Sequence, residues 1–285
     1  MAEQDSTADG GNFQSAVTEA AAPMDLRTDI PHLARIYDYW LGGRNNYPAD
    51  RVVAEAAIKT LPEIRESVLV NRAFLRTAVH FLATECGVRQ FLDIGTGLPA
   101  ADNTHEVAQR AAPDARIVYV DNDPLVLVHA KALLTSTPEG ATAFLDGDVR
   151  DPASILERAA ATLDLTQPVA LMLVAIMHAI PDEQDPYAAV RTLRDALPAG
   201  SYLLLSHVGL DMHPDRADLS ASIDAINAGA PVTLFPRTRE QVGRFFDGWE
   251  LIDPGLVPAQ DWRMTGELFS AMWAGVARKP AAPMP

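Results

Sequence analysis

A single cysteine, Cys86, stands in 285 residues. No internal disulfide can form, which fits a reducing compartment such as the cytoplasm. Its setting in "FLATECGV", at a helix end, reads as a packing role. Basic residues are also scarce: 23 Lys and Arg against 38 Asp and Glu leave a formal charge of −15. A broad face for nucleic acid needs many cations to neutralise phosphates, so no nucleic-acid partner is expected. No run of eighteen or more apolar residues occurs, so no membrane span is expected. The opening "MAEQDSTADGGNFQSAVTEAAAP" lacks a basic region followed by an apolar stretch, so it does not read as a secretory signal. It reads instead as a disordered leader over 1–23, and 280–285 as a frayed tail. Internal repeats and Cys/His metal-ligand spacings are missing too.

What is present is a core: 48% of residues are hydrophobic, enough for a sizeable α/β domain. "DLRTDIPHLARIYDYWLGG" predicts a short helix begun by Asp29, with Pro31 in its first turn and Gly42-Gly43 at its end. Two further helices follow, from Pro48 to about Lys59 and from about Pro62 to Glu85. Together, residues 24–85 form an N-terminal helical extension. The period then changes. "RQFLDIG" and "ARIVYVDND" are short apolar strands ending in acids, "ATAFLDGDVRDP" is a weaker one, and "PVALMLVAIMHAIP" is a continuous apolar run typical of a strand buried on both faces. "GSYLLLSHVG" is a fifth, and "WELIDPGLV" and "ELFSAMWAGVARK" form a final pair. Helices alternate with these strands, which predicts a mainly parallel seven-stranded sheet with helices on both faces over 86–279.

In such sheets ligands bind at the carboxyl ends of the strands. The first end is "FLDIGTGLPAADN", where Gly95 and Gly97 allow a tight turn and a close ligand. The run from Gly95 through Thr96 and Gly97 to Ala100 also fits a loose dinucleotide fingerprint. Asp93 discriminates. Its carboxylate would repel a pyrophosphate and attract a ligand bearing an ammonium and a sulfonium, as S-adenosylmethionine does; capping of the following turn is its plainer role. Asp121, about two dozen residues after Gly97, is placed to take ribose hydroxyls, which either nucleoside cofactor carries. Asp148 is placed to accept from an adenine amino group while Val149 packs on the ring.

Taken in order, "FLDIGTG", "VYVDNDP", "GDVRDP" and "LMLVAIMHAIP" resemble the motif set of the Rossmann-like S-adenosylmethionine-dependent methyltransferases. More narrowly, "IPHLARIYDYWLGGRNNYPADR" with "NRAFLRTAVHFLA" and "RQFLDIGTGLPAADNTHEVAQ" resembles one family of predicted methyltransferases marked by a tyrosine-rich LGG segment. The likeness runs from about residue 25 to 279. It departs where His178 is followed by Ala179 instead of Phe, which opens space beside the expected substrate pocket. The resemblance implies cofactor contacts from Asp93, Gly95, Thr96, Gly97, Asn103, Asp121, Asn122, Gly147, Asp148, Val149, Val174 and Ala175. It also implies an N-terminal lid, in which Arg44, Asn45, Asn46 and Tyr47 lie over the mouth, Arg44 pairs with the methionine carboxylate, Asn46 hydrogen-bonds it, and Tyr37, Tyr39 and Trp40 exclude water; anchoring the extension to the core is the alternative role of these aromatics.

Methyl transfer from a sulfonium needs a base only if the nucleophile must lose a proton early. His178 and His207, both at strand ends, are the candidates; hydrogen bonding to nearby backbone is their alternative role. The expected activity is transfer of a methyl group to an O, N or C nucleophile of an unidentified small-molecule acceptor, in secondary metabolism or elsewhere. A nicotinamide-dependent oxidoreductase and a cofactor-binding protein without turnover are the competing readings. Acceptor and oligomeric state are not written in the residues.

Overall fold

The computed structural model describes residues 26–281 apart from 134, 214, 230, 231 and 267; the expected leader over 1–23 and the end of the expected tail fall outside them. Three helices come first: α1 (Leu33–Trp40), α2 (Pro48–Thr60) and α3 (Ile64–Thr84). The first starts at Leu33, later than the Asp29 signal suggests, because His32 is its cap and its Nδ1 accepts from Ala34 N at 3.3 Å.

Five parallel strands follow: β1 (Gln90–Ile94), β2 (Arg116–Asp121), β3 (Ala141–Asp146), β4 (Ala170–Val174) and β5 (Tyr202–Val208). Between them run α4 (Thr104–Ala111), α5 (Pro124–Leu133), α6 (Pro152–Ala159) and α7 (Pro186–Asp195). Beyond β5 lie α8 (Ala217–Gly229), α9 (Arg239–Gly243), the two-residue strands β6 (Glu250–Leu251) and β7 (Val257–Pro258), and β8 (Met272–Arg278). The sheet order is β3-β2-β1-β4-β5-β8-β6, with β8 antiparallel to β5 and β7 also pairing with β8.

Seven strands in line agree with the expectation; the eighth arises because "WELIDPGLV" does not run straight. Pro254 lacks an N–H for a ladder and Gly255 has φ +92°, so the stretch breaks into two short pieces on one edge of β8. The central strands β1, β4 and β5 are buried along their whole length. One core cluster packs α3 and α4 on one face of the sheet, and a second packs α6 and α7 on the other. A third cluster, built on Ile36, Trp40, Leu61, Ile64 and Val68, joins the N-terminal helices to Ile226 and Val232. Chain order reverses between β1 and β4, so the crevice at their carboxyl ends is where this topology presents a ligand site.

Candidate functional site

A cavity of about 530 Å³ opens at that crevice, within the range of roughly 300–1,000 Å³ that small-molecule sites occupy. The glycine turn forms its floor. Gly95 and Gly97 hold φ of +75° and +68°, which side chains resist. A Cβ on Gly95 would come within 2.2 Å of the Ile176 side chain, whereas one on Gly97 would meet no protein atom within 4 Å. Gly97 therefore leaves room for something other than protein. Its N–H is tied back to Asp121 Oδ2 at 2.8 Å, and Thr96 Oγ1 donates to Asp93 O at 3.0 Å.

Asp93 is the last residue but one of β1 and is buried. Its Oδ2 accepts from Thr104 Oγ1 at 2.6 Å, and burial pushes the carboxyl up to about 6 despite that bond and the nearby Arg72. Asp121 is raised by burial as well, opposed by the amides of Asp123 and Gly97. Asp148 goes the other way: hydrogen bonds from Arg150 hold its carboxyl below the usual range. Ala175 carries φ +56° without being glycine, a strained conformation of the kind found at functional sites. Its N–H is held by Ser206 Oγ at 3.0 Å and Ser206 O at 3.2 Å.

Asp93, Gly95, Thr96, Gly97, Asp121, Asn122, Gly147, Asp148, Val149, Val174, Ala175 and His178 all line this one cavity. Arg44, Asn46, Tyr47, Asn103 and His207 do not. Arg44 is exposed. Asn46 turns inward, its Nδ2 donating to Asp38 Oδ2 at 2.8 Å and Gly43 O at 3.1 Å. Tyr47 packs with Leu98, Leu125 and Val126. Asn103 caps α4, accepting from Ala100 N at 3.1 Å.

His207 Nε2 lies 2.8 Å from Arg237 Nη1. A guanidinium can only donate, so this nitrogen is the acceptor and Nδ1–H donates to Val208 O at 2.8 Å. The same Arg237 donates to Met177 O and Ile180 O, so it fastens the turn that carries His178 onto β5. His178 Nδ1 faces Val208 N at 3.4 Å, which leaves its proton on Nε2. Burial, then Arg237, depresses the ring to about 4, so it is neutral near pH 7.

The LGG segment is organised by a residue the sequence reading passed over. Asp38 Oδ2 accepts from Asn45 N at 2.9 Å as well as from Asn46, and its carboxylate fills the space where a Gly43 side chain would stand, 2.1 Å from an added Cβ. Tyr37, Asp38, Trp40 and Leu41 then face the cavity. Gly43→Ala is expected to cost about 1–3 kcal/mol by forcing Asp38 out of the turn; a urea midpoint equal to wild type would show that the turn does not depend on this fit.

Arg72, on α3, was also missed. It lines the cavity, and Nη2 donates to Ala101 O at 3.0 Å and Asp102 O at 3.2 Å. Its neighbour Asn71 sits fully inside, donating to Tyr37 OH at 2.9 Å and accepting from Ser206 Oγ at 2.6 Å. A polar residue between Val68 and Phe74, on the apolar face of a helix, was the available signal.

A carboxylate at the glycine turn, a guanidinium beside it, an acid at the end of β2 and open space over Gly97 form a donor set suited to a zwitterionic amino acid joined to a nucleoside. No His, Cys, Asp or Glu group suited to a metal occurs among the described residues, nor a helix long and apolar enough to cross a membrane.

Comparison with solved structures finds a DUF574 family protein from Streptomyces avermitilis, 42% identical with a TM-score of 0.85, covering 90% of this chain and 100% of that one. A protein from Thermobifida fusca assigned as a methyltransferase is 38% identical with a TM-score of 0.81, covering 90% and 97%. No curated protein matches. The family model described as S-adenosyl methyltransferase matches residues 19–280. The chain belongs to that family: it is a methyltransferase of Rossmann-like α/β fold whose cofactor is S-adenosylmethionine.

Proposed function

We propose that the protein methylates a small molecule, with the cofactor held at the glycine turn and the acceptor in the apolar remainder of the same cavity. The observation that carries this is continuity: one cavity runs from Asp93, Gly97 and Asp121 to Trp40, Leu61 and Ile226. Its size of about 530 Å³ suits a small acceptor better than a polymer.

S-adenosylmethionine supplies an activated methyl group when bound. The chain's own residues bind, orient and shield. In this reading Asp93 faces the ammonium, Arg72 takes the methionine carboxylate in place of the exposed Arg44, Asp121 takes the ribose hydroxyls, and Asn122, Asp148 and Val149 surround the adenine. Gly95, Thr96, Gly97, Gly147, Val174 and Ala175 give backbone contact and clearance. The N-terminal segment serves as a wall through Tyr37, Trp40 and Leu41, which keep water from the reacting centre. His178 offers its Nε2–H as a donor to the bound reactants.

Calorimetric titration is the test. Wild-type protein is expected to bind S-adenosylmethionine with a micromolar Kd, and Arg72→Ala to weaken it roughly 10- to 100-fold, the loss of one charge-assisted bidentate contact. Equal affinity in the variant would remove Arg72 from the site. No binding by the wild type would remove the reading itself.

A further inference from the structure

We propose that the acceptor is a largely apolar phenol, without charge on its frame, and that His213 takes the proton of its hydroxyl. This rests on the methyltransferase reading above and deepens it by naming the acceptor class and the base.

The end of the cavity away from the glycine turn is walled by Trp40, Leu61, Ile64, Val68, Ile226 and Val232, all from one apolar cluster or packed on it. A charge on the acceptor frame would be desolvated there without a partner. Several charged groups among the described residues around this end are committed to other contacts. Asp38 accepts from Asn45 N and Asn46 Nδ2. Arg216 pairs with Glu63 at 3.3 Å, Glu66 accepts from Phe269 N at 3.0 Å, and Asp211 accepts from Trp273 Nε1 and Arg239 N. An aromatic ring suits this wall, and its hydroxyl is acidic enough to be ionised by an imidazole beside a cationic cofactor.

The three histidines near β5 are sorted by their hydrogen bonds. His207 gives its only lone pair to Arg237. His178 receives Val208 N–H on Nδ1, so it presents a proton to the cavity and no lone pair. His213 lies 2.8 Å from Ser270 O through Nε2. A carbonyl oxygen can only accept, so Nε2 carries the proton and Nδ1 holds the lone pair. Its ring stacks on Phe269 with centroids 4.9 Å apart, which fixes its plane, and it lines the same cavity. Among the described residues Nδ1 has no hydrogen-bond partner. A ring held by a backbone carbonyl on one nitrogen, with the other unbonded and the residue lining the cavity, is the arrangement that general-base catalysis requires. In the transfer, the phenol proton passes to His213 Nδ1, an oxygen lone pair forms the O–CH3 bond, and the S–CH3 bond breaks with its electron pair going to sulfur. The products are the aryl methyl ether and S-adenosylhomocysteine, and the imidazolium returns its proton to water.

The test uses the full chain saturated with sinefungin, which bears an ammonium where the methyl donor bears its sulfonium and transfers no methyl. The probes are 2-naphthol, 2-methoxynaphthalene and 2-naphthol-6-sulfonate. Near neutral pH, 2-naphthol is expected to bind at least tenfold more tightly than the sulfonate and to develop the red-shifted naphtholate absorbance band. His213→Gln is expected to lose that band while binding 2-methoxynaphthalene like wild type. Ile226→Asp is expected to weaken both neutral probes more than tenfold and leave sinefungin binding unchanged. The acceptor class is overturned if the sulfonate matches naphthol or no probe binds, and the role of His213 if the band persists in His213→Gln. Failure of sinefungin to bind would strike the cofactor reading instead, which the first titration detects separately.

Discussion

Asp93→Asn is expected to weaken S-adenosylmethionine binding by about 2–4 kcal/mol, roughly 30- to 1,000-fold. Asparagine keeps the size of the side chain and an oxygen for the Thr104 hydroxyl, which now donates at 2.6 Å, so the change removes charge and little else. The same carboxyl sets a pH dependence. Burial raises it from 3.8 to about 6 in the folded protein. A raised carboxyl contributes stability that is fully present below about 3.8 and is lost as pH rises through about 6. The free protein therefore carries a strain on the order of 3 kcal/mol at pH 7. A cationic ligand relieves that strain only when the group is ionised. Cofactor affinity should fall as pH drops below about 6, by up to about tenfold per unit, and this slope should vanish in Asp93→Asn. Calorimetry at pH 5, 6 and 7.5 measures both effects. Parallel curves for the two proteins would sever Asp93 from the cofactor's charge.

Asp123→Ala should be the most damaging single change away from the cavity. Asp123 Oδ2 stands 3.1 Å from Arg35 Nε and 3.2 Å from His32 Nδ1. Arg35 is 3% exposed, and its other acid, Asp50, is 3.9 Å away. Asp50 in turn accepts from His32 N and Tyr47 N. Removing Asp123 leaves a buried guanidinium with a distant partner, at a cost of about 3–5 kcal/mol. Asp102, part-exposed and paired with Arg110 and Arg76, supplies the control, since its replacement by Asn, which tolerates the φ of +57° there, should cost under about 1 kcal/mol. Equal shifts in the guanidinium chloride midpoint for the two variants would mean that the buried cluster holds nothing together.

The strand ends were legible because they are local. A glycine turn following an apolar run, or an acid closing one, needs no knowledge of distant chain, and Asp93, Gly95, Gly97, Asp121 and Asp148 arrive at one cavity. The N-terminal segment was harder to read, because its polar residues look alike in sequence and differ only in where the turn aims them. Gly42, at φ +81°, swings the chain so that Asp38 points in and Arg44 out. Arg72 reads as one more cation on a long helix; only the crossing of α3 over the loop at Ala101 and Asp102 brings it to the site. His213 sits in a stretch without periodicity, and its tautomer follows from a carbonyl 57 residues away. Arg237 stands in the same unpatterned stretch after β5, and only the packed chain shows it buried against that strand.

The ion cluster at Asp123 has a bearing on how such a site can diversify. The cavity wall on α1 and α3, from Leu33 to Leu75, is one continuous stretch of chain, bolted to the sheet through a residue two positions after Asp121. In the proposed reading, substitutions on α1 that keep His32 and Arg35, with Asp50 beside them, would leave Asp93, Asp121 and Asp148 in place at the strand ends. Variation confined to α1 would then reshape the acceptor side of the cavity, while Arg72 on α3 and the strand ends keep their places on the proposed cofactor side.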